Sequence, residues 1–171
     1  MSLLQIVTYG DPILQKKVKP VKHIDDAVLK LITDMFETMY MSPGIGLAAN
    51  QVGVPLNLCV IDIMPQGKHD PLVLINGVIQ EKKGKIFEEE GCLSFPGIST
   101  KIRRWKWVKV SGINEKGLPV EIIGEDLLAR ALQHEIDHLS GRLIVDRVSI
   151  IQKLKIKRLV KKLKKAGLWK K

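Results

Sequence analysis

The amino-acid sequence predicts an α+β fold in a single domain, residues 1–171, with helices before, after and between the segments of a sheet. Three observations lead to this prediction. Apolar residues recur at helical spacing in two segments, short β-branched or apolar runs lie between these segments, and no internal repeat or linker interrupts the chain. A chain of this length, 45% hydrophobic, can form one full core and is too short to suggest two.

Three helices are expected from apolar periodicity and from the residues at their ends. The first covers residues 25–40, where two aspartates suit the positive N-terminal end. The second covers residues 126–140 and is terminated by Gly141. The third begins near Ser149 and continues into a basic tail, residues 153–171.

Five strands are expected between the first two helices, because five β-branched or apolar runs there are separated by turn residues. Their predicted ranges are 56–63, 72–79, 85–89, 105–113 and 118–123. Asn114 to Gly117, between the last two runs, has the composition of a hairpin connection.

Positive charge is concentrated in the C-terminal tail. Residues 153–171 contain ten of the 28 Lys and Arg residues and no acidic residue, whereas the remaining chain has 18 basic and 18 acidic residues. The net charge of +10 therefore indicates a partner for the tail and says nothing about the chemistry of the body.

The sequence also predicts a cytoplasmic location. No apolar run approaches the roughly 18 residues of a membrane span, and the N-terminal residues lack the basic region and cleavage site of a secretory signal. Two cysteines, Cys59 and Cys92, are too few for a disulfide framework and are expected to be thiols in a reducing compartment.

The strongest chemical signal is the segment His134-Glu-Ile-Asp-His138. Residues four apart share one face of a helix, so both imidazoles can bind one metal ion, and Glu135 can reach a water on that ion as general base. The alternative is a chance match on an exposed helix. The helix nevertheless has a buried side, formed by Leu128, Leu132, Ile136 and Leu139.

A catalytic site of this kind needs a third protein ligand and one open position. No Glu follows Glu135, and position 144, where a third His is expected in one common arrangement, is Ile. The ligand is therefore expected upstream, among His23, Cys59, His69, Cys92 or a carboxylate. Cys59 lies inside an apolar strand and both histidines lie in polar turns, so Cys92, in a Gly- and Pro-containing bend, is the best candidate.

Residues 44–51, Gly-Ile-Gly-Leu-Ala-Ala-Asn-Gln, match the Gly-x-Gly-x-x-Ala form of a dinucleotide-binding loop. A helix and not a strand precedes the segment, which argues against a nucleotide. Two interpretations remain: a tight turn leading into a buried Ala-rich stretch, or a substrate-binding segment. In the second, the paired glycines let a peptide approach the backbone and Gln51 offers an amide N–H to an oxyanion.

Three segments together resemble the signature motifs of peptide deformylases. They are residues 44–51, Glu90-Gly-Cys-Leu-Ser94 and Gln133-His-Glu-Ile-Asp-His-Leu139, and their order and separation agree as well. The resemblance implies an α+β fold whose mixed or antiparallel sheets surround the helix that carries the His pair. It also implies hydrolytic removal of the formyl group from N-formylmethionine at the N-terminus of newly synthesised proteins.

The resemblance further implies a role for each chemical group of the site. Cys92, His134 and His138 match the metal ligands, and Glu135 matches the general base and acid that serves a metal-bound hydroxide. The implied metal is Fe(II), while a thiolate and two imidazoles also suit Zn(II) or Ni(II).

Substrate contacts follow from the same resemblance. Gln51 and the backbone N–H of Leu93 match the donors to the formyl oxygen. Contacts to the peptide backbone are implied for Ile45, Gly46 and Gly91.

The resemblance also gives expectations for residues that surround the site. Glu90 and Arg104 resemble an ion pair that supports the cysteine loop. Arg130 and Ala131 border the expected methionine pocket, and Ile144 stands where Phe is expected, so these departures affect side-chain preference and leave the reaction unchanged.

The basic tail is expected to form a helix. From Ser149 onward, the apolar side of this helix is predicted to contain Ile151, Leu154, Leu159 and Leu163. The resemblance implies docking on ribosomal RNA through the lysines; the alternatives are a helix packed on the body with a solvated basic face, or contact with an anionic membrane surface. Because the chemistry does not require the tail, truncation after Lys153 is expected to leave hydrolysis nearly intact.

Two other functions compete with this interpretation. A metallo-endopeptidase would share the His-Glu motif but lacks its usual third ligand here. A nucleic-acid-binding module with a structural His/Cys site would need a fourth ligand and would leave Glu135 without a role.

Overall fold

The computed structural model describes residues 2–169 and confirms the predicted α+β fold. Three α-helices occur in this range: α1 (Asp26–Met41), α2 (Asp126–Leu139) and α3 (Ile150–Lys165). The strands are β1 (Gly46–Ala48), β2 (Leu58–Ile61), β3 (Leu72–Lys83), β4 (Ile86–Gly91), β5 (Ser99–Arg104), β6 (Trp107–Ile113) and β7 (Pro119–Glu125).

The strands form two antiparallel sheets. The larger sheet has the order β1-β2-β3-β6-β7, and β4 pairs with β5 in a separate two-stranded sheet. The turn at Asn114–Gly117 joins β6 to β7 as predicted, with the Asn114 side chain accepting hydrogen bonds from the backbone of Lys116 and Leu118. Both β1 and β4 have only one paired neighbour, so each keeps one free edge.

Five of these strands correspond to predicted runs, with boundaries shifted by a few residues, whereas β1 and β5 were not predicted. β1 has only three residues, too few to show an alternating pattern. β5 does alternate, but its inward side carries Thr100, Ile102 and Arg104, two of which are polar. A search for alternating apolar residues therefore misses it.

The larger sheet is covered by helices on both faces, which explains why all four residues of β2 are buried. Leu58 and Val60 pack in one cluster with residues of α1, and Cys59 and Ile61 pack in another with residues of α2. Successive side chains of a strand point to opposite faces, so β2 lies in the middle of the sandwich. α2 is held between the large sheet and the cysteine loop, residues 92–98, which joins β4 to β5.

α3 is part of the core, in agreement with the alternative in which this helix packs on the body, but the side that it buries differs from the predicted one. Ile156, Val160 and Trp169 are buried in a cluster with Phe95 and residues 143–145. The predicted apolar side is wrong for three of its four members: Ile151, Leu154 and Leu159 are 69%, 50% and 43% exposed, while Leu163 is partly buried. Residues four apart on a different face make the contact, and Lys170 and Lys171 lie outside the described residues.

None of the described helices is long and apolar enough to cross a membrane.

Candidate active site

α2 and the turn after β4 bring three metal-ligating side chains together. Cys92 Sγ lies 3.2 Å from His138 Nε2, which lies 3.2 Å from His134 Nε2. A ligand atom from each residue lies within 4.8 Å of the other two. The helical spacing of the two histidines supplies two donors, and the bend after β4 supplies the third.

The donor set fits one divalent cation. Ligands about 2.0–2.3 Å from a tetrahedral ion lie about 3.3–3.6 Å apart, close to the two observed separations of 3.2 Å. A thiolate with two imidazoles suits Fe(II), Ni(II) or Zn(II). Three protein ligands also leave one coordination position for water or substrate, as catalytic sites require.

His134 is oriented by a buried network of charged groups. Its Nδ1 lies 3.2 Å from Glu90 Oε2, and Arg104 donates to the same carboxylate from Nη2 at 2.9 Å and from Nε at 3.0 Å. Glu90 and Arg104 therefore form the ion pair that the family resemblance suggested. Burial alone would raise the pKa of Glu90, but the hydrogen bonds from His134 and Arg104 lower it to about 2. A carboxylate on the second ring nitrogen directs the first nitrogen towards the ligand position.

The same network continues beyond Arg104. Asp137 accepts from Arg104 and from Arg147, whose Nε lies 2.8 Å from Asp137 Oδ2. Asp137 is part of the His-Glu motif, yet its role was not recognised from the sequence. Arg147 carries no sequence signal at all, because only the path of the chain after α2 brings it back to this carboxylate.

Glu135 is 3% exposed, and one of its carboxylate oxygens has no hydrogen-bond partner among the described residues. Burial raises the pKa of Glu135 to about 7, against the opposing effects of His134 and Arg104. A side chain at Gly46 would overlap Glu135 Oε1, so the glycine is needed for this carboxylate to lie where it does. Glu135 is thus a buried, unpaired carboxyl group with a pKa suited to exchanging a proton near neutral pH.

The Gln51 carboxamide is fixed in one orientation. Its Oε1 accepts from the backbone N–H of Ala48 at 2.9 Å, and its Nε2 donates to Ser94 Oγ at 3.2 Å and lies 3.7 Å from Cys92 Sγ. The NH₂ group is thereby presented beside the cysteine. Leu93 follows Cys92 in the turn after β4. Its backbone N–H makes no hydrogen bond to the described part of the chain.

A cleft of about 720 Å³ connects these groups. It lies between β1 and β4, and its walls include Ile45, Gly46 and Gly91, together with Gln51 and Leu93. His138 lies behind the cleft wall, in contact with the other two candidate ligands. The predicted site residues, distant in sequence, therefore form one continuous site.

The remaining upstream ligand candidates lie elsewhere. Cys59 is completely buried in β2, and burial raises the pKa of its thiol well above the usual value. His23 is exposed, and His69 Nδ1 lies 2.8 Å from Asp62 Oδ2 in a loop after β2. Among the described residues, Cys92 is the thiol that meets the histidine pair.

Comparison with known proteins identifies the family. A family model described as polypeptide deformylase matches residues 3–154. The chain belongs to this family. The match of the polypeptide deformylase model ends shortly after α3 begins, so most of that helix lies beyond it.

Individual deformylases are similar over most of the chain. A peptide deformylase from Syntrophobacter fumaroxidans is 51% identical over 163 residues, 95% of this chain and 96% of the relative. One from Aquifex aeolicus is 52% identical over 145 residues, 84% and 86% of the two chains. The crystal structure of a peptide deformylase from Legionella pneumophila superimposes with a TM-score of 0.91 at 42% identity, covering 99% of this chain and 100% of that one.

Proposed function

We propose that this chain hydrolyses the formyl amide of N-formylmethionyl peptides, with a divalent metal held by Cys92, His134 and His138. The observation that carries the proposal is the position of Glu135, an unpaired buried carboxyl group next to three converging metal ligands. A structural metal site would give this group no task, whereas a hydrolytic site requires a proton carrier there. Membership of the polypeptide deformylase family supports the choice of substrate.

The proposed proton transfers depend on Glu135. When bound, the cation would polarise the formyl group and increase the acidity of water. Glu135 accepts the proton that water loses on attack and later delivers it to the nitrogen of the departing methionine amine. A pKa of about 7 allows both directions of transfer near neutral pH.

Gln51 and Leu93 are proposed to stabilise the developing negative charge on the formyl oxygen. The Gln51 NH₂ group is held by the bond from Ala48 to its Oε1, and the Leu93 N–H has no competing acceptor in the described chain. Donors that are oriented before the reaction lower its barrier, and losing one such donor typically costs about 2.7–4 kcal/mol.

The peptide is proposed to lie as an extended strand between the free edges of β1 and β4. Ile45 directly precedes β1, Gly46 is the first residue of β1 and Gly91 is the last residue of β4, and all three line the cleft. Pairing through the backbone holds peptides of different sequence in one register, which suits an enzyme that must process many nascent chains.

We propose Fe(II) as the native metal, following the family resemblance, with Zn(II) or Ni(II) able to occupy the same ligands. Metal analysis after purification without oxygen should find iron in a ratio to protein near one, and activity should decline in air unless a thiol or catalase is present. An iron-loaded enzyme that is stable in air, or that is no faster than the zinc form, would contradict the iron assignment and leave the reaction untouched.

The experiment that tests the function combines metal content with formate release from formyl-Met-Ala-Ser. We expect stoichiometric metal, formate and free Met-Ala-Ser, and no reaction of the unformylated peptide. Cleavage of an internal bond in an unformylated peptide would indicate an endopeptidase instead. Metal binding without any hydrolysis would indicate a structural site.

We also propose that α3 contacts ribosomal RNA in the cytoplasm, where formylated chains emerge. The buried side of α3 leaves its outer side free, and Lys157, Lys161 and Lys165 are exposed there. The tail holds no acidic residue that could neutralise them. Binding through phosphates should therefore weaken steeply as salt rises.

Charge reversal tests this contact better than truncation, because α3 contributes to the core. Replacement of Lys157, Lys161 and Lys165 by Glu should abolish co-sedimentation with ribosomes. The matched control reverses three exposed lysines of the body, Lys22, Lys68 and Lys116. Equal ribosome binding by both triple variants would remove the proposal.

A further inference from the structure

Arg130 is a charged residue of the cleft wall that the proposed mechanism does not use. It lies on α2, one turn before His134, and its side chain is 18% exposed. Its Nη2 donates to the backbone carbonyl of Glu89 on β4. Its Nε is buried without a hydrogen-bond partner, 3.5 Å from Glu90 Oε1.

The Glu90 carboxylate is already committed to other groups. It accepts hydrogen bonds from Arg104 and lies against His134 Nδ1. Asp137, the other acid of the buried network, is bonded to Arg104 and Arg147. Arg130 forms a salt bridge with Glu90 without a hydrogen bond, and it shares that carboxylate with Arg104.

The other acidic group of the cleft does not contact the Arg130 guanidinium through its carboxylate. Glu89 lines the cleft, but its carboxylate accepts a hydrogen bond from Ser99 Oγ on β5, and only its backbone carbonyl is bonded to Arg130. Cys92, His134 and Glu135 belong to the candidate metal centre. Three guanidinium groups, those of Arg104, Arg130 and Arg147, therefore share two buried carboxylates, and Arg130 is the one of the three that lines the cleft.

The position of Arg130 determines which residue of a bound peptide its guanidinium can contact. The family resemblance suggested that Arg130 borders the methionine pocket, but its bond to Glu89 O places the guanidinium beside β4, three residues before Cys92. A peptide that pairs along β4 advances by about one residue for each residue of that strand. If its formyl group lies at Cys92, its second or third residue lies beside Glu89. At Glu89 it meets a carbonyl already bonded to Arg130.

We propose that Arg130 is a specificity-determining residue that favours an acidic side chain at the second or third residue of the formylated peptide. This inference rests on the proposed function, since it assumes the peptide path along β4. The ligand is a carboxylate of the substrate, recognised by a guanidinium held in place by a backbone carbonyl, an arrangement in which arginine is more specific than lysine.

The test compares formyl-Met-Ala-Glu with formyl-Met-Ala-Gln, and formyl-Met-Glu-Ala with formyl-Met-Gln-Ala. In the unaltered enzyme, kcat/KM should favour Glu over Gln by about two- to fivefold in at least one pair, the range open to a partly exposed ion pair. The preference should shrink in high salt, because salt screens it. In Arg130→Gln the ratio should fall to about one.

Arg103→Gln provides the matched control, because Arg103 is exposed on β5 and lies outside the cleft lining. It should keep the preference for Glu. Equal loss of activity on all four peptides in Arg130→Gln would mean that Arg130 only holds β4, and absence of a Glu preference in the unaltered enzyme would overturn the proposal even if the variant does not fold. Failure to release formate from any peptide would instead contradict the proposed function.

Discussion

At the scale of single residues, Glu135 combines two properties that seldom occur together in a protein interior. It is almost fully buried, and one of its oxygens is without a partner among the described residues. A buried carboxylate of this kind normally destabilises the fold, so it is retained where it has a task. Its position beside His134 and His138 suits the proposed task, which is proton transfer at the candidate metal centre.

Replacement of Glu135 by Gln should leave metal content nearly unchanged and lower kcat by about 100- to 10,000-fold, the contribution typical of a positioned general base. Gln keeps the shape of the side chain but cannot carry the proton. Elemental analysis and formate release measure the two effects separately. Full activity of Glu135→Gln would exclude the mechanism, and loss of metal would show that Glu135 is a ligand.

The two cysteines provide a matched pair for testing the ligand set. Cys92→Ser should lose or weaken the metal, because a hydroxyl is a harder and poorer donor than a thiolate. Cys59→Ser should retain it, since Cys59 is buried in β2 and is not part of the ligand cluster. The metal content of both variants is measured. Retention of metal by Cys92→Ser together with its loss in Cys59→Ser would refute the assignment.

At the scale of elements, Asp62 ties the loop after β2 to Ile45, next to the start of β1. Its backbone N–H donates to Ile45 O at 2.9 Å. Its carboxylate accepts from Tyr40 Oη at 2.8 Å, from the backbone N–H groups of Met64 and Asp70, and lies 2.8 Å from His69 Nδ1. α1, β1 and the loop thus meet at one buried acid.

Asp62→Asn should destabilise the protein most at neutral pH. Burial alone would raise the pKa of Asp62, but hydrogen bonds from His69, Tyr40 and two backbone N–H groups lower it to about 2. Relative to an unfolded value of about 3.9, this stabilises the fold by about 2–3 kcal/mol above about pH 4, and the contribution is lost as the pH falls towards 2. Urea unfolding measures the free energy of unfolding of Asp62→Asn and of the unaltered protein. The difference between the two should be smaller at pH 2.5 than at pH 7.

Asp70→Asn is the control for this measurement, because Asp70 is exposed and contributes only its backbone N–H to the cluster. It should unfold like the unaltered protein at both pH values. A constant difference between Asp62→Asn and the unaltered protein across this pH range would show that the charge of Asp62 is not what stabilises the loop.

At the scale of the whole molecule, the segment that follows α3 packs against the cysteine loop. Trp169 packs edge-on against Phe95, with ring centroids 6.3 Å apart, and Phe95 stacks on Tyr9 at 4.6 Å. Phe95 also lines the active-site cleft. A truncation after Lys153 removes one side of this stack, so the expectation that it leaves hydrolysis intact no longer follows.

Two isoleucines on opposite sides of α3 test its part in the fold. Ile156→Ala should destabilise the protein by about 2–5 kcal/mol, since Ile156 is 7% exposed and leaves a cavity. Ile151→Ala, at a side chain that is 69% exposed, should change stability by no more than about 0.5 kcal/mol. Urea unfolding measures both, and a single cooperative transition is expected if residues 1–171 form one domain. Equal effects of the two variants would contradict the packing of α3.

Local spacing by itself determined much of this protein. Four residues between His134 and His138 place both rings on one face wherever the helix lies, and apolar periodicity with end residues located α1 and α2 because helices depend on near neighbours. Cys92 was preferred over Cys59 because Cys59 lies inside an apolar strand, whereas Cys92 lies in a Gly- and Pro-containing bend and the His pair needs a third ligand. The family motifs then linked three separated segments into one site.

Only the tertiary structure decided which surfaces meet. The approach of Arg147 to Asp137, the position of Arg130 against β4 and the face of α3 that becomes buried all depend on residues far apart in sequence. β5 shows the physical reason most clearly: its buried side is polar, because Arg104 is compensated by Glu90 and Asp137 from other elements. A pattern within one segment cannot reveal a charge whose partners are supplied by another.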